Sequence, residues 1–368
     1  MRGKRVLVRE DLNVPLDRGR ITDDTRIRAA GPTLEKLRAM GAKVIVMSHL
    51  GRPDGGPDPA LSLKPVAEAL GVRLVADCLE PVGELADGEM VLLENVRFHP
   101  GDETDDPDFA QALARQGEVY INDAFAASHR SHASVVGVAK FLPSYAGYLM
   151  LGELKALHQA LDEPRRPLLA IVGGAKVSTK AAVLAHLLPR VDSLAIVGAM
   201  ANTFLAARGA RLGASLVEEK SLDAARQVEL DGGSKLVLPV DSVIAQKAEA
   251  GAQTRFNGVD DVEAGWMILD IGPATIELLG DRVKGAGTIV WNGPAGVAEV
   301  PEFAKGTRAL GEAIVASSAY SLVGGGDTAA AVAKLGISGF SHVSTGGGAT
   351  LEAMEGKELP GVAVLKDE

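Results

Sequence analysis

The sequence is poor in several features that would each mark a particular class of protein. Aromatic residues make up only 4% of its 368 positions, and cysteine occurs once, at Cys78. A lone cysteine excludes an internal disulfide framework and fits a reducing compartment. No apolar run approaches the ~20 residues of a membrane span, and the first residues lack the apolar core of a signal peptide. We therefore expect a soluble protein of the cytoplasm that does not enter a membrane.

Positive charge is also in short supply. The chain has 38 basic and 48 acidic residues, for a net charge of −10, so no basic surplus exists to neutralise a nucleic-acid backbone. Hydrophobic residues reach 46%, which with so few aromatics predicts cores of valine, isoleucine, leucine and alanine. Such cores suit parallel strands covered by helices. The length exceeds one ordinary domain and predicts two lobes.

One glycine-rich stretch predicts an anion site. A strand-like run at Tyr320–Val323 leads into three glycines at 324–326, then Asp327 and an alanine-rich helix from Thr328. Glycines let backbone N–H groups crowd together, and the helix adds its unpaired N–H groups and positive dipole end. A phosphate is the usual occupant of such a site. Asp327 has two interpretations at this point: it caps the helix, or it holds a cation such as Mg²⁺.

The first half of the chain alternates strand-like and helical patterns, as in a parallel α/β sheet. The predicted strands are Arg5–Arg9, Lys43–Met47, Met90–Leu93 and Val119–Ile121, and the predicted helices are Thr22–Met40, Leu63–Leu70 and Pro107–Gln116.

Arginines recur near the ends of these strands, where ligands bind in such sheets. They are Arg9, Arg52, Arg97 and Arg130, with Arg26 on the first helix. A single arginine after a strand is more often a surface charge. Several at one rim predict a small, multiply anionic ligand, because guanidinium groups match carboxylate and phosphate.

Two histidines beside the last of these arginines raise the question of a metal. His129 and His132 have no H-E-x-x-H pattern and no evident third ligand, so anion contacts or loop packing are the favoured interpretations.

The second half begins after a helix predicted at Glu153–Leu161, which is either a hinge between lobes or the last helix of the first lobe. The strand Leu168–Val172 then leads to G-G-A-K-V-S-T-K, where we predict Lys176 and Lys180 on one helix face. Because no G-K-[ST] closes it, this is not a Walker A loop. Further α/β units are predicted from strands at Ser193–Val197, Lys235–Leu238, Met267–Leu269, Thr288–Val290 and His342 onward.

Taken together, the motifs resemble those of phosphoglycerate kinase from end to end. The matching stretches are V-R-x-D-x-N-V-P, D-D-T-R-I-R, S-H-L-G-R-P, L-L-E-N-V-R-F, N-D-A-F-x-x-x-H-R-x-H, G-G-A-K-V-S-x-K, L-D-I-G-P, W-N-G-P-x-G-V-x-E, G-G-G-D-T-A-A-A and H-V-S-T-G-G-G-A. So many specific motifs in order make coincidence negligible.

The resemblance implies an α/β fold of two Rossmann-like lobes, each a parallel sheet flanked by helices, with a hinge helix and an interlobe cleft. Residues 1–150 would bind 3-phosphoglycerate or 1,3-bisphosphoglycerate, 151–164 would form the hinge, and 165–345 would bind ADP or ATP with Mg²⁺. Residues 346–368 would return to the first lobe. The family also implies a monomer, and a start that is longer than this one.

The resemblance also assigns site residues. Substrate contacts fall on Asp11, Leu12, Asn13, Arg26, His49, Leu50, Gly51, Arg52, Arg97 and Arg130. Nucleotide contacts fall on Lys176, Lys180, Gly272, Glu299, Gly325, Gly326, Asp327 and Thr328, with Asp327 serving Mg²⁺. The catalytic set is Arg26, Lys180, Gly325 and Gly326, which would neutralise charge on the transferring phosphoryl group. Both flanking oxygens are already anionic, so no general base is needed, and the site would be complete only when the cleft closes.

Several positions depart from the family pattern, although none removes a charge that the chemistry requires. Glu10 and Leu12 replace the usual valine and aromatic residue around Asp11, Gly152 lies in the hinge, and Ala298 stands beside the nucleotide turn. These changes bear on rates and affinities and leave the reaction intact.

Two rival functions remain. Another kinase acting on a carboxylate, such as an acetate or carbamate kinase, would share the nucleotide half but would not need so many arginines. A non-catalytic scaffold descended from such an enzyme should have lost Arg26, Lys180 or Asp327, and all three are present.

Overall fold

The computed structural model describes residues 1–365. They fold into two compact units, one formed by Met1–Lys155 with the segment that starts at Glu358, and one formed by Ala156–Lys357. None of the helices in the described part of the chain has the length and apolar character needed to span a bilayer.

The first unit contains eight strands and four helices in chain order before the chain leaves it. They are β1 (Arg5–Arg9), β2 (Leu16–Asp17), β3 (Arg20–Ile21), α1 (Thr25–Ala39), β4 (Lys43–Met47), α2 (Lys64–Leu70), β5 (Arg73–Val75), β6 (Met90–Leu93), α3 (Pro107–Ala114), β7 (Val119–Asn122), β8 (Ser144–Ala146) and α4 (Tyr148–Leu157).

Six of these strands form one parallel sheet in the order β5-β6-β4-β1-β7-β8, and β2 and β3 form a separate hairpin. Side chains of β1 alternate between two cores, with Val6 and Val8 on the face covered by α1 and α2, and Leu7 on the face covered by α3. A strand buried on both faces explains the continuous apolar runs of the sequence.

Strand order reverses beside β1, which places a topological switch point there. From β1 the chain forms β4 beside it, then the edge strand β5, then β6 between those two, and it crosses to the other side of β1 as β7 and β8. In open parallel sheets, ligands bind beyond the carboxyl ends of the strands at this point. Arg9 and Asn122 are the last paired residues of β1 and β7.

The second unit repeats this plan with additions. Its elements are β9 (Leu168–Val172), α5 (Ala181–Leu187), β10 (Ser193–Ile196), α6 (Ala199–Ala207), β11 (Arg211–Leu212), α7 (Leu222–Gly232), β12 (Leu236–Val237), β13 (Asp241–Ala245), β14 (Arg255–Gly258), β15 (Asp261–Val262), β16 (Met267–Ile271), α8 (Pro273–Gly285), β17 (Thr288–Asn292), α9 (Lys305–Ala316), β18 (Tyr320–Gly324), α10 (Gly326–Lys334), β19 (His342–Val343) and α11 (Gly348–Met354). A last short helix, α12 (Pro360–Ala363), lies in the segment that belongs to the first unit.

Six parallel strands again form the main sheet, in the order β12-β10-β9-β17-β18-β19. The switch point lies between β9 and β17, whose last paired residues are Val172 and Asn292. The glycine turns at Gly173, Gly293 and Gly325 therefore follow neighbouring strands at one edge of the sheet.

The fold class is confirmed, but three local predictions were wrong. The strand that contains Met267–Leu269 is not part of the parallel sheet, because β16 pairs antiparallel with β13 in a three-stranded sheet. Residues 176–180 form turns, and α5 begins only at Ala181, so Lys176 and Lys180 do not share a helix face. Asp327 is not the N-cap of α10, since Gly325 holds that position at a φ of 89°.

The helix predicted at Glu153–Leu161 begins earlier than expected. Helix α4 spans Tyr148–Leu157 and passes into one π-helical turn at His158–Asp162. Its first turn is fixed by Asp123, whose Oδ1 accepts a hydrogen bond of 2.9 Å from the backbone N–H of Met150. That long-range cap explains why the local sequence did not show where the helix begins.

Candidate active site

The first unit presents buried cationic side chains at the carboxyl end of its sheet. Arg9 is fully buried, and its guanidinium donates hydrogen bonds to Ser134 Oγ at 3.0 Å, to the carbonyl of Glu10 at 2.5 Å and to His49 Nδ1 at 3.0 Å. A guanidinium group only donates, so His49 Nδ1 must be the unprotonated acceptor. Burial and then Arg9, Arg97 and Arg26 hold the pKa of His49 well below its usual range.

Arg97 contributes a second buried cation to this edge. Its side chain is 5% exposed, one of its η nitrogens donates to the Gly51 carbonyl at 2.9 Å, and its Nε lies 3.4 Å from Glu103. No hydrogen-bond acceptor for Nε is found in the described residues. Burial, followed by repulsion from Arg9, lowers the pKa of Arg97 to about 10. Arg9 and Arg97 therefore repel each other within one buried edge.

The V-R-E-D-L-N-V-P stretch organises the same edge. Asp11 accepts a 2.6 Å salt bridge from Arg26, which lies near the start of α1 and is 35% exposed. Asn13 accepts a hydrogen bond of 2.9 Å from the N–H of Gly51, so the same glycine is held by Asn13 and Arg97. The structure thus brings together five of the predicted substrate residues, which are Asp11, Asn13, Arg26, Gly51 and Arg97, and it adds Arg9.

The remaining substrate residues have different environments. Arg52 is exposed, and Arg130 is half-buried with its Nε 3.1 Å from His129 Nε2. Leu12 and Leu50 are 0% and 2% exposed and belong to the hydrophobic core. Any ligand contact from these two leucines must come from their backbone.

The two histidines beside Arg130 have different partners. His132 Nδ1 lies 3.7 Å from the buried carboxylate of Asp102, while His129 lies against Arg130. Within the described residues, neither belongs to a cluster of metal-binding side chains.

Glu10 is the most unusual group near this edge. It is fully buried, and neither carboxylate oxygen has a hydrogen-bond partner among the described residues. Burial, then the nearby Asp123, raises the pKa of Glu10 well above its usual value. Because a buried, unpaired carboxylate is costly, the folded state favours the neutral form of Glu10.

The second unit builds its edge from backbone. Gly173 donates from its N–H to the carbonyl of Asn292 at 2.8 Å, and Gly293 has a φ of 102°. A Cβ on Gly293 would lie 2.2 Å from the Gly173 carbonyl oxygen. The turns after β9 and β17 can therefore approach each other only because both positions are glycine.

Thr328 ties the third glycine turn to this pair. Its hydroxyl is fully buried and accepts a hydrogen bond of 2.6 Å from the N–H of Gly293. Gly325 and Gly326 precede it at the start of α10, and space beside Gly326 is open. This arrangement exposes N–H groups at the positive end of a helix, as an anion site requires.

Lys180 and Asp327 supply the charges of this edge. The Lys180 ammonium group donates to the side-chain oxygen of the buried Asn292. Burial lowers the pKa of Lys180, and the carboxylates of Asp327 and Glu355 partly oppose that shift. Asp327 is exposed in the first turn of α10. Lys176 is exposed and lies in the turn before α5.

A cavity of about 430 Å³ lies beside these turns. It has a polar side that includes Gly174, Gly198, Glu299 and Asp327, and an apolar side. The apolar side is formed by Leu205, Leu216, Val259, Met267, Ile268, Leu269 and Val297. The volume and the mixture of apolar wall with few polar groups are typical of a small-molecule site.

Two carboxylates that the sequence did not reveal shape this cavity. Asp270 is 2% exposed, and its oxygens accept hydrogen bonds of 2.7 Å from Gly306 N–H and 2.9 Å from Ile271 N–H. Asp241 accepts from the N–H groups of Ala274 and Thr275 at the start of α8. A Cβ on the predicted nucleotide residue Gly272 would lie 2.3 Å from the Asp241 carboxylate.

Burial raises the pKa of Asp270 to about 7. Backbone N–H groups of Gly306 and Lys305, at the start of α9, and of the neighbouring Ile271 oppose this shift because donors favour the ionised form. Asp241 and Asp270 both lie in β-strands, and apart from Ile271 their partners are tens of residues away. The only local signal was the motif L-D-I-G-P, which contains Asp270 and Gly272.

Comparisons with known proteins agree with this geometry. The family model described as phosphoglycerate kinase matches residues 1–357. The chain belongs to the phosphoglycerate kinase family. A phosphoglycerate kinase of Moorella thermoacetica is 51% identical, over 100% of this chain and 98% of its own length. One from Desulfosudis oleivorans is 52% identical, over 99% of this chain and 96% of its own length.

Solved structures give the same result. The phosphoglycerate kinase structure from Coxiella burnetii has a TM-score of 0.93 and 44% identity, covering 99% of this chain and 96% of its own. That from Pyrococcus horikoshii OT3 has a TM-score of 0.87 and 32% identity, with the same coverage. The family, the two-unit α/β fold and the reaction class predicted from the sequence, a glycolytic kinase that transfers a phosphoryl group, are confirmed.

Proposed function

We propose that the chain catalyses reversible phosphoryl transfer between 1,3-bisphosphoglycerate and ADP, giving 3-phosphoglycerate and ATP. The observation that carries this assignment is the buried cationic edge of the first unit. Arg9 and Arg97 are buried there and repel each other, and the neutral His49 lies against Arg9. A ligand that bears both a phosphate and a carboxylate would supply negative charge that offsets this repulsion.

Within the first unit, we assign the acid substrate to Asn13, Arg26, Arg52, Arg97 and Arg130. Arg26 is held by Asp11 at 2.6 Å while it remains 35% exposed, so it is oriented but still free to donate to a ligand. We assign it to the transferring phosphoryl group, whose charge is spread over three oxygens in the transition state. Arg52, Arg97 and Arg130 would hold the other anionic groups, and the neighbouring predicted contacts His49, Leu50 and Gly51 would shape the pocket.

Within the second unit, we assign the nucleotide to the cavity beside α10. The apolar wall suits a purine base, and the exposed carboxylate of Glu299 suits a ribose hydroxyl. The phosphates would then lie against the N–H groups of Gly325, Gly326 and Thr328. Lys180 and Lys176 would balance phosphate charge. Gly272 lies against Asp241, which lines the same cavity.

Mg²⁺ fits the donor set at Asp327. This metal prefers oxygen ligands and is usually held by one or two carboxylates together with substrate phosphates and water. Asp327 is an exposed carboxylate beside the glycine turn and on the rim of the cavity. When bound, the ion would stabilise negative charge on the phosphates. The Lys180 ammonium group would stabilise the same charge, because it already interacts with the Asp327 carboxylate.

The reaction needs no general base from this chain. The attacking oxygens of 3-phosphoglycerate and of ADP are anionic at neutral pH, so the residues act by neutralising charge and by orientation. Burial, and then the neighbouring arginines, hold the pKa of His49 well below its usual range, and its Nδ1 accepts from Arg9. The neutral imidazole can therefore donate one hydrogen bond from Nε2 to an anionic ligand without adding a charge.

We further propose that the protein acts as a monomer in the cytoplasm. The lone, buried Cys78 supports a reducing environment. A single species of one-chain mass by light scattering is expected at assay concentration, and a dimer at that concentration would contradict the proposal.

The function is tested by turnover with alternative acids. Purified protein is mixed with Mg-ATP and either 3-phosphoglycerate or acetate, and acyl phosphate formation is followed through coupled reactions. We expect turnover with 3-phosphoglycerate and at least 100-fold less with acetate, because acetate cannot engage the distal arginines. Equal turnover with acetate, or none with 3-phosphoglycerate, would overturn the assignment.

A further inference from the structure

Three side chains with metal-binding atoms meet in the first unit, outside the residues assigned to either substrate. Asp77 and Cys78 lie in the turn after β5, and His99 follows the helical turn after β6. One donor atom from each residue lies within 4.8 Å of the other two. In the described residues, no other group of three or more such side chains meets this criterion.

The spacing is close to that of a tetrahedral site. The Asp77 Oδ1 and His99 Nε2 atoms are 3.0 Å apart. Two ligands with bonds of about 2.0 Å to a tetrahedral zinc ion would be about 3.3 Å apart. The carboxylate and the imidazole therefore need to separate only slightly to admit an ion, and the Cys78 sulfur lies within 4.8 Å of a donor atom of each.

Both half-exposed ligands are held in place by the surrounding chain. Asp77 Oδ1 accepts a hydrogen bond of 2.8 Å from Leu79 N–H, which fixes the turn. The His99 ring packs against Phe109 with their centroids 5.4 Å apart. The side chains of Asp77 and His99 are 43% and 32% exposed, so an ion can enter from solvent. The buried Cys78 would form the inner end of the site.

Asp77 places a carboxylate at this point, and that carboxylate attracts a divalent ion. An ion that binds would displace the thiol proton, as thiolate ligation requires.

We propose that Asp77, Cys78 and His99 form a site for a divalent transition metal, best matched by Zn²⁺, with water as the fourth ligand. Sulfur, nitrogen and oxygen donors together favour zinc-like ions over Mg²⁺ and Ca²⁺, which prefer oxygen alone. The site does not depend on the proposed kinase function. If no ion binds, the Asp77–His99 hydrogen bond and the packing of Cys78 are enough to explain the positions of the three side chains.

The test uses Co²⁺ as a spectroscopic probe on the full chain without nucleotide. We expect one equivalent to bind with a thiolate-to-cobalt charge-transfer band, and Zn²⁺ to displace it. Cys78→Ser should abolish the band, and His99→Gln should weaken binding at least tenfold, since losing a group that only orients a metal ligand already costs about 10–100-fold. Binding should also weaken as pH falls, because protons compete for the thiol and the imidazole.

The control is Glu80→Gln, an exposed carboxylate beside the turn, which should leave the band unchanged. Far-ultraviolet circular dichroism checks the folding of each variant, and His99→Gln decides the matter if Cys78→Ser does not fold. A cobalt spectrum without the thiolate band, or equal affinity in His99→Gln, would overturn the proposal. Either result would leave turnover with 3-phosphoglycerate untouched as a test of the kinase assignment.

Discussion

The two units use the same sheet plan, but the carboxyl edges of their sheets are built by opposite means. Each has six parallel strands, begins in a central strand and reverses its strand order beside it. At that point the first unit places buried cationic side chains, Arg9 and Arg97, whereas the second places glycine turns around Gly173 and Gly293. One edge depends on side-chain charge, and the other depends on the absence of side chains.

Different substitutions should therefore matter in each unit. In the first unit, removal of a cation should lower affinity or rate while the fold survives, because the buried guanidinium groups of Arg9 and Arg97 already repel each other. In the second unit, addition of a methyl group should disturb the fold itself, because two backbone segments touch.

Arg26→Ala should have the largest effect on catalysis. We expect kcat to fall by about 100-fold or more, consistent with about 3 kcal/mol for one transition-state contact. The matched control is Arg28→Ala, which removes an exposed arginine of the same helix paired with Asp24. Steady-state kinetics measures both, and a kcat within threefold of wild type in Arg26→Ala would break the assignment.

Gly293→Ala should be the most damaging methyl addition in the second unit. Its Cβ would lie 2.2 Å from the Gly173 oxygen at a backbone φ of 102°, so we expect about 2–4 kcal/mol less stability. Gly280→Ala, in α8 with open space around it, should instead stabilise by about 0.5–1 kcal/mol. Urea unfolding measures both, and equal stabilities would contradict the account.

Glu10→Gln should stabilise the protein, and more so at higher pH. Because the folded state raises the pKa of Glu10, folding favours its protonated form, and stability is lost as pH rises above the ordinary glutamate pKa. Glutamine cannot ionise, so we expect a gain of about 1–3 kcal/mol at pH 8 and little or none at pH 4. Unfolding free energies at the two pH values measure this difference.

The control for Glu10 is Glu68→Gln, an exposed glutamate on α2. It should shift stability equally little at both pH values. A gain in Glu10→Gln that does not grow with pH would show that the carboxyl group is not held neutral by the fold.

Asp270→Asn should have the smallest effect, and it should change the KM for only one of the two substrates. The carboxylate fixes the start of α9 through Gly306 beside the nucleotide cavity. Its loss should raise the KM for ATP about fivefold to tenfold, at about 1–1.4 kcal/mol, with the KM for 3-phosphoglycerate unchanged. Asp281→Asn, on the exposed face of α8, is the control, and equal shifts in both KM values would argue against this role.

The sequence predicted most of the fold because its strands are buried on both faces. Runs such as Arg5–Arg9 and Lys43–Met47 were placed without error, since β-branched residues bounded by turns leave little ambiguity. The strand at Met267–Ile271 was misassigned because its apolar run does not distinguish a parallel partner from the antiparallel β13. Strand pairing depends on distant residues that no local pattern contains.

Site residues could be proposed from the sequence where a local motif contains a particular residue type. Arg26, Lys180 and the Gly325–Thr328 turn were proposed in this way, and their roles stay predictions. Asp270 and the burial of Glu10 were not, because their surroundings come from distant segments. Lys176 and Lys180 were placed on a helix by their spacing, and the turns that precede α5 overrode that spacing.

The most direct test of the central claim is a crossed binding experiment by calorimetry. 3-Phosphoglycerate alone and Mg-ATP alone are titrated into wild type, Arg97→Ala and Lys180→Met. We predict that Arg97→Ala lowers the affinity for 3-phosphoglycerate at least tenfold and leaves the affinity for Mg-ATP within twofold of wild type. Lys180→Met should have the opposite pattern. If either substitution weakens both ligands equally, the division of labour between a cationic edge and a glycine edge is wrong.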